Sequence, residues 1–324
     1  MTWMIPQSRK KLTEHCPQII EIVVFLRRSH DFLFAFGAGL GHSLSTGVMQ
    51  MICAWKELLC ILPQWLRSQA ASYDSELQEL RLRCGCPPEL LLRSGRKWGT
   101  GTVSQEDLNC CINTASRYSP WSASTVSQGY ITAPGGHRIG ICGDAVLKEG
   151  IMAGIRNPRS LCIRVARDFP GLARRVRFRG QALLILGAPG WGKTTLLSDL
   201  ARTIAEVETV AVVDERQELC PPGFRLGKRM DVLYGCPKCQ GIETVLRTMG
   251  PDCIAVDEIT SQQDCHALIN ASNCGVRLIA TAHAGGMTDF RRRNVYAPLR
   301  ESRVFDSFLI LDKDKSFHLE EIYP

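Results

Sequence analysis

The sequence has few of the features that mark specialised classes of protein. Aromatic residues make up only 7% of the 324 residues, and they are not interleaved in the way that proteins use to stack nucleic-acid bases. We find no internal repeat, no low-complexity tract and no clean secretory signal. The hydrophobic share of 45% is that of a globular protein, and the length gives room for one large or two ordinary domains.

Charged residues are absent from a stretch near the beginning of the chain. Residues 32–55 contain no Asp, Glu, Lys or Arg, and a run of this length could cross a bilayer. Its glycines and polar residues, such as His42 and Gln50, make it only weakly hydrophobic, so a poorly ordered extension is favoured over a membrane anchor. A regular amphipathic pattern begins near Met51, so Met51 is a candidate for the natural start. We predict a poorly ordered or weakly hydrophobic extension over residues 1–54.

Positive charge is in mild excess, with a formal net charge of +7. Arginines cluster at residues 174–179 and 291–293. Such clusters can meet nucleic acid, acidic lipid or a neighbouring subunit, but more often they are solvated surface.

Short helix and strand patterns follow each other over residues 55–167. Pro63 splits the first helical pattern into two short helices. Ser104 and Asp107 have the spacing of a capping box and begin a helix that runs to about Tyr118. Strand patterns are found at residues 77–83 and 161–166, and residues 135–143 have the pattern of a turn that leads into a strand. These elements predict a smaller α+β domain over residues 55–167, followed by a linker at residues 168–180 that contains proline, glycine and arginines.

A phosphate-loop motif follows this linker. The pattern G-x-x-x-x-G-K-[ST] is matched by Gly187, Ala188, Pro189, Gly190, Trp191, Gly192, Lys193 and Thr194. A buried-strand pattern precedes it and a helical pattern, beginning with Thr195, follows it. Loop amides and the helix N-terminus can hold phosphate oxygens, Lys193 can reach the β- and γ-phosphates, and the Thr194 hydroxyl can bind magnesium. Residues 187–195 are therefore predicted to bind ATP with Mg²⁺, although a ligand-free glycine turn is the alternative.

Two carboxylates end a later apolar run, residues 253–258. A continuous apolar run is typical of a central parallel strand that is covered on both faces. Beside a phosphate loop, Asp257 is predicted to help hold the magnesium, and Glu258 to polarise the attacking water as a general base. The alternative is a buried strand whose acidic residues only cap the next turn.

Two further strand patterns end in polar side chains. Asp214 and Glu215 follow one, and His283 follows the other. Because open α/β sheets bind ligands at the carboxyl ends of their strands, we predict that these side chains complete or sense the same site. The sequence has no [NT]-K-x-D segment of the kind that reads guanine, which favours ATP over GTP. Strand patterns near residues 182–186, 209–214, 253–257 and 277–281 alternate with helical patterns and predict a parallel sheet.

The fifteen cysteines would suggest disulfides in a small secreted chain. With a nucleotide site and no clean secretory signal, we expect a cytosolic protein with reduced thiols. Cys236 and Cys239 form a lone C-x-x-C, for which Cys220, Cys84 and Cys86 are only loose zinc-ligand partners. A redox motif normally opens a helix after a strand, whereas the sequence before Cys236 is rich in proline and glycine. A structural or incidental role is therefore favoured.

The order of these motifs resembles the secretion ATPases of type II and type IV systems. It is still more similar to the stage III sporulation protein AA family of endospore-forming bacteria. The stretches that carry the resemblance are residues 135–143, 161–167, 187–195, 213–216, 229–238, 247–252 and 256–259. The resemblance covers about residues 55–324, and Cys239 departs from it. It implies an α/β fold in which a RecA- or secretion-ATPase-like P-loop NTPase domain, residues 181–324, follows the smaller α+β domain.

The resemblance also implies a role. Family members are ATPases that are thought to power a channel between the mother cell and the forespore. They are expected in the cytoplasm, peripheral at the inner face of the mother-cell membrane, docked to a small membrane protein. The related secretion ATPases work as hexameric rings, in which arginines from one subunit complete the neighbour's site. The candidates for such an arginine are Arg138, Arg156, Arg164, Arg229 and Arg247.

Two other functions use the same site. A nucleic-acid-dependent ATPase would combine it with the arginine clusters, but without interleaved aromatics we expect no nucleic-acid partner. A nucleotide-gated scaffold would bind ATP with little turnover. The preferred prediction is an ATP-hydrolysing motor that acts as a homo-oligomer, with Glu258, Lys193, Asp214, Glu215 and His283 around the reacting phosphate.

Overall fold

The computed structural model describes residues 51–116, 129–178 and 180–321. Most of the predicted extension 1–54, and the predicted helix end near Tyr118, lie outside the described residues. Within the part of the chain that the structure describes, no helix has both the length and the apolar character needed to span a membrane.

Three helices cover one side of the first sheet. They are α1 (Trp55–Ile61), α2 (Gln64–Ala71) and α3 (Gln105–Ser116). Leu62 is extended because Pro63 follows it, which ends α1 as the sequence predicts. At the start of α3, the Ser104 amide donates to Asp107 Oδ2 at 2.9 Å and the Asp107 amide donates to Ser104 Oγ at 3.1 Å. The predicted capping box is therefore confirmed.

The first sheet is antiparallel and has six strands in the order β3-β2-β1-β6-β5-β4. The strands are β1 (Leu77–Arg83), β2 (Glu89–Leu92), β3 (Gly95–Trp98), β4 (Tyr130–Thr132), β5 (Arg138–Lys148) and β6 (Ile151–Arg164). Leu80 and Leu82 of β1 are buried on the side of the helices, while Arg81 between them is exposed on the other face. β5 and β6 are longer than the sequence predicts, and the predicted strand at residues 161–166 is the final part of β6.

The second sheet has seven strands in the order β13-β12-β7-β11-β10-β8-β9. The strands are β7 (Ala182–Gly187), β8 (Val210–Asp214), β9 (Met230–Tyr234), β10 (Cys253–Val256), β11 (Arg277–His283), β12 (Ser307–Leu311) and β13 (Phe317–Glu321). All neighbouring pairs are parallel except β12 and β13. The four strands predicted in this region are confirmed, whereas β9, β12 and β13 were not predicted.

Helices lie on both faces of this sheet. They are α4 (Lys193–Ile204), α5 (Lys238–Thr248), α6 (Gln262–Asn273), α7 (Met287–Arg292) and α8 (Ala297–Ser302). Leu196 and Leu200 of α4 belong to one apolar cluster, and Ile242 of α5 and Leu268 of α6 belong to another. Because side chains alternate across a strand, both faces of the central strands must be apolar, which explains their continuous apolar sequences.

The segment between the two sheets packs against α4. Asp168 is buried, and its Oδ1 accepts a hydrogen bond from Arg202 at 2.6 Å. The Asp199 carboxylate accepts from the amides of Gly171 and Ala173 at 3.0 and 2.7 Å. Residues 168–173 are thus held to the second sheet, and the division of the chain into separate domains by a linker at 168–180 stays a prediction.

Candidate functional site

The phosphate loop joins the end of β7 to the beginning of α4. Gly190 and Gly192 have φ values of 78° and 100°, which a residue with a side chain rarely adopts. A Cβ added at either position would meet no atom within 4 Å, so the loop faces open space. Lys193, the first residue of α4, points its ammonium back over the loop, where it donates to the Ala188 carbonyl at 3.1 Å. The loop can therefore hold an anion between its amides and this ammonium.

Lys193 also contacts the end of the neighbouring strand. Its Nζ lies 2.9 Å from Nδ1 of His283. An ammonium group only donates, so Nδ1 is the acceptor and the proton of the ring is on Nε2. Burial lowers the pKa of Lys193, while the carboxylates of Asp257 and Glu258 act in the opposite direction. β7 and β11 are paired, with Gly187 opposite His283, which brings the two side chains together.

Asp257 follows β10 and receives two hydroxyl hydrogens. Thr194 donates to its Oδ2 at 2.7 Å and Thr281 donates to its Oδ1 at 2.6 Å. A hydroxyl and a carboxylate are hard oxygen ligands of the kind that Mg²⁺ prefers. Among the described residues, no group of three or more His, Cys, Asp and Glu side chains could hold a metal ion. Thr194 and Asp257 nevertheless fit Mg²⁺, because Mg²⁺ bound with a nucleotide takes only one or two protein ligands.

Glu258 lies next to this pair and has an unusual backbone. Its φ is 56°, in the left-handed region that non-glycine residues seldom occupy. Its Oε1 lies 2.9 Å from Nε2 of His283, and its Oε2 accepts from Nη1 of Arg216 at 3.0 Å. The carboxylate is thus oriented by two donors, one from β11 and one from the loop after β8. Strained backbone of this kind is concentrated at functional sites.

The two predicted acidic residues after β8 are placed differently from each other. Asp214 is buried and accepts from the amides of Glu218, Leu219 and Cys220 at 3.0, 3.0 and 2.8 Å. Burial raises the pKa of Asp214 to about 6, although the backbone donors oppose this. Glu215 instead forms an ion pair with Lys238, a buried residue at the start of α5. Asp214 therefore shapes the loop after β8, while Glu215 lies at the edge of the site.

Six of these side chains line one depression in the surface. Its walls include Asp214, Glu215, Arg216, Lys238, Asp257 and Glu258. The structure thus brings together the predicted phosphate loop, metal ligands and acidic residues, with His283 between them. The partners Lys238 and Arg216 were not anticipated, since each pairs with a residue far away in the sequence and no local pattern signals this.

A larger cleft of about 210 Å³ opens beside the first turns of α4, between the two sheets. Thr194, Thr195 and Ser198 form one wall, and Arg138 and Arg164 of the first sheet form part of the opposite wall. Arg138 forms an ion pair with Glu218 and lies over the Tyr130 ring at 4.2 Å.

The five candidate arginines are distributed over the chain. Arg138 and Arg164 face the cleft of about 210 Å³ in their own chain. Arg156 is exposed on β6, Arg229 donates to the Val207 carbonyl, and Arg247 lies 3.8 Å from Glu243 on the exposed side of α5. That one of them acts on a neighbouring subunit stays a prediction.

The C-x-x-C segment follows a strand after all. β9 ends at Tyr234 and α5 begins at Lys238, so Cys236 and Cys239 flank the start of a helix. The sequence argument against a redox motif was wrong on this point, because β9 is a half-exposed edge strand with no clear apolar run. Burial raises the pKa of Cys236, and Cys239 and Glu215 act in the same direction, whereas reactive thiols have a lowered pKa.

The sheet order, the phosphate loop and the Asp257–Glu258 pair define the fold of a P-loop NTPase. Two solved structures share it. The ATPase DotB of Legionella pneumophila has a TM-score of 0.51 and 17% identity, covering 78% of each chain. The pilus retraction motor PilT, solved with bound ADP, has a TM-score of 0.57 and 11% identity, covering 80% of this chain and 82% of that one.

The family follows from the sequence comparison. Residues 56–323 match the family model described as sporulation stage III, protein AA, so the chain belongs to this family. It is 33% identical to the stage III sporulation protein AA of Bacillus subtilis (strain 168) over 281 residues. This match covers 80% of this chain and 91% of that protein. The predicted family and fold class are confirmed.

Proposed function

We propose that this protein is an ATP-hydrolysing motor of a sporulation channel complex. The observation that carries the proposal is the meeting of Lys193, the Thr194–Asp257 pair and Glu258 at the carboxyl ends of β7 and β10. Phosphoryl transfer needs positioning and charge stabilisation more than covalent chemistry, and these groups supply both.

Each residue has a distinct task in this proposal. The backbone N–H groups of residues 187–195, of which Pro189 has none, and the Lys193 ammonium bind the phosphates. Thr194 and Asp257 hold Mg²⁺, which neutralises charge on the phosphate oxygens when it is bound. Glu258 accepts a proton from the attacking water, and Arg216 and His283 keep its carboxylate in place. The nucleoside would lie in the cleft of about 210 Å³ beside Thr195 and Ser198.

The motor role extends the fold comparison. PilT is a pilus retraction motor and DotB is an ATPase. We infer that this protein forms a homo-oligomer, a hexameric ring, in which an arginine of one subunit completes the neighbour's site. It would lie in the cytoplasm at the inner face of the mother-cell membrane, docked to a small membrane protein of the channel complex, without a nucleic-acid partner.

A nucleotide-gated scaffold is the second candidate. Lys193 and Glu258 both contact His283, and Glu258 also pairs with Arg216. A site held in this way can bind ATP and turn it over slowly. Conformational closure on a partner would then be needed for hydrolysis.

Binding and hydrolysis of radiolabelled ATP with Mg²⁺ test the proposal. The unmodified protein should bind and hydrolyse ATP, Lys193→Ala should lose binding, and Glu258→Gln should bind ATP but lose turnover by about 100-fold or more. Failure to bind ATP would exclude both candidates. Binding without turnover, even with the membrane partner, would leave the scaffold. Turnover that nucleic acid stimulates and salt suppresses would favour a nucleic-acid-dependent ATPase.

A further inference from the structure

Thr281 lies where the strands of the candidate site converge. It belongs to β11, its backbone pairs with Ile185 of β7, and its side chain is fully buried. The residues on either side of it, Ala280 and Ala282, pack into an apolar cluster. The Thr281 hydroxyl points to the other face, toward the residues that follow β10.

The hydroxyl makes two hydrogen bonds of opposite kind. It donates to Oδ1 of Asp257 at 2.6 Å and accepts from the Glu258 amide at 2.8 Å. The single hydroxyl hydrogen is therefore donated to Asp257, and a lone pair of the same oxygen accepts the amide hydrogen of Glu258. A third contact comes from the backbone, since the Thr281 carbonyl accepts from the Ile259 amide at 2.9 Å. One residue thus holds three consecutive residues after β10.

The two hydrogen bonds of the Thr281 hydroxyl orient the carboxylates of Asp257 and Glu258. The donor to Oδ1 fixes the side chain of Asp257, leaving Oδ2 directed at Thr194 of the phosphate loop. The acceptor fixes the amide of Glu258, whose φ of 56° would otherwise relax toward the ordinary negative region. A change in that backbone would turn the Glu258 side chain away from His283 and Arg216.

We propose that Thr281 is a positioning residue that sets both the metal-binding oxygen of Asp257 and the direction of the Glu258 carboxylate. The proposal rests on the proposed function of the site. Thr281 acts through its neighbours and has no contact of its own with the reacting atoms. Its hydroxyl, rather than its shape, carries the effect.

Three variants distinguish the effect of the Thr281 hydroxyl from the effect of the side chain's shape. Thr281→Val keeps the shape and removes both hydrogen bonds, and Thr281→Ser keeps the hydroxyl. Thr132→Val is the matched control, because the buried hydroxyl of Thr132 in β4 has no hydrogen-bond partner among the described residues. Two quantities are measured for each variant: the rate of ATP hydrolysis, and the gain in affinity for mant-ADP when Mg²⁺ replaces EDTA.

Thr281→Val should hydrolyse ATP at least about 10-fold more slowly, because a small displacement of a catalytic group has effects of this size. Its affinity for mant-ADP in EDTA should stay unchanged, while the gain with Mg²⁺ should be reduced. Thr281→Ser and Thr132→Val should match the unmodified protein in both measurements. Unimpaired Thr281→Val, or a Thr281→Ser as impaired as Thr281→Val, would overturn the proposal.

The proposed function and this inference can fail separately. If the unmodified protein shows no turnover, the proposal of an ATP-hydrolysing motor is wrong. The increase in mant-ADP affinity with Mg²⁺ then tests the role of Thr281 by itself, and an equal increase in Thr281→Val and the unmodified protein overturns it. Cooperative unfolding followed by circular dichroism shows whether each variant folds. If Thr281→Val does not fold, Thr281→Cys replaces it, since a thiol is a much weaker donor and acceptor than a hydroxyl, and the same outcomes apply.

Discussion

Nδ1 of His283 lies 2.9 Å from Nζ of Lys193, and Nε2 of the same ring lies 2.9 Å from Oε1 of Glu258. The imidazole thus joins the phosphate-binding ammonium to the proposed general base. A ligand in the loop that draws Lys193 away removes the hydrogen-bond donor from Nδ1 of His283. Because Nε2 of the same ring donates to Glu258, binding in the loop is coupled to the Glu258 carboxylate.

We predict that His283→Ala separates these two groups. Glu258 keeps only Arg216 as an orienting donor, so turnover should fall at least about 10-fold, while affinity for ATP should change little because the loop amides remain. A binding titration and a hydrolysis assay on the same preparation measure the two effects. His318→Ala on the exposed edge strand β13 is the matched control. Wild-type turnover in His283→Ala would show that the ring has no role in orienting Glu258.

Asp214 gives a pH-dependent contribution to stability. Burial raises its pKa in the folded protein to about 6, from an ordinary value of 3.8. The folded state therefore binds the proton more tightly than the unfolded state. The resulting stabilisation is fully present below the ordinary value and is lost as the pH rises through the folded pKa.

Asp214→Asn provides the reference that does not titrate. The free energy of unfolding of the unmodified protein, taken relative to this variant, should fall by about 2–2.5 kcal/mol between pH 4 and pH 7. Urea denaturation at a series of pH values measures the difference. A difference that is flat or that rises with pH would contradict the raised pKa.

Arg202 is the only cation within hydrogen-bonding distance of two buried carboxylates in the described part of the chain. It reaches Asp168 at 2.6 Å and Asp199 at 2.8 Å. Arg202→Met should destabilise the protein by about 3–5 kcal/mol, because it leaves both carboxylates buried without a counter-charge. Lys228→Met, which removes an exposed ion pair with Glu206, should cost less than about 1 kcal/mol. Urea denaturation measures the loss of unfolding free energy in each variant. Equal losses in Arg202→Met and Lys228→Met would show that the buried contacts of Arg202 do not stabilise the fold.

Gly136 lies where the first sheet meets the loop after β8. Its φ is 79°, and a Cβ at this position would lie 2.5 Å from Cβ of Pro221. Gly150 has nearly the same φ, 78°, but no atom lies within 4 Å of its added Cβ. Gly150→Ala should cost about 1 kcal/mol for the backbone alone, and Gly136→Ala about 1–3 kcal/mol more for the clash. Thermal unfolding of the two variants gives the difference, and similar midpoints would mean that the two sheets do not pack in this way.

The sequence predicted what is local. The phosphate loop is a contiguous motif between a strand and a helix, and the apolar run before Asp257 is long enough to read as a central strand. The edge strand β9 was missed because its residues are half exposed, and β12 because a short apolar run alone does not distinguish a strand from a buried helix.

The contacts between side chains within the site could not be predicted from the sequence. Arg216 and Glu258 are 42 positions apart, and Lys193 and His283 are 90 apart. Their contact depends on the strand order, which places β10 between β8 and β11 and β7 on the other side of β11. The left-handed backbone of Glu258 likewise has no signal in its residue type.

The ion pair between Glu215 and Lys238 has a mechanical consequence. Lys238 is the first residue of α5, and its side chain is almost completely enclosed. A Glu215 carboxylate that swings toward a bound phosphate must therefore either part from its cation or pull the leading turn of α5 with it. In the second case α5 and the edge strand β9 before it would move together. A change at the phosphate site would then be transmitted to the edge of the sheet.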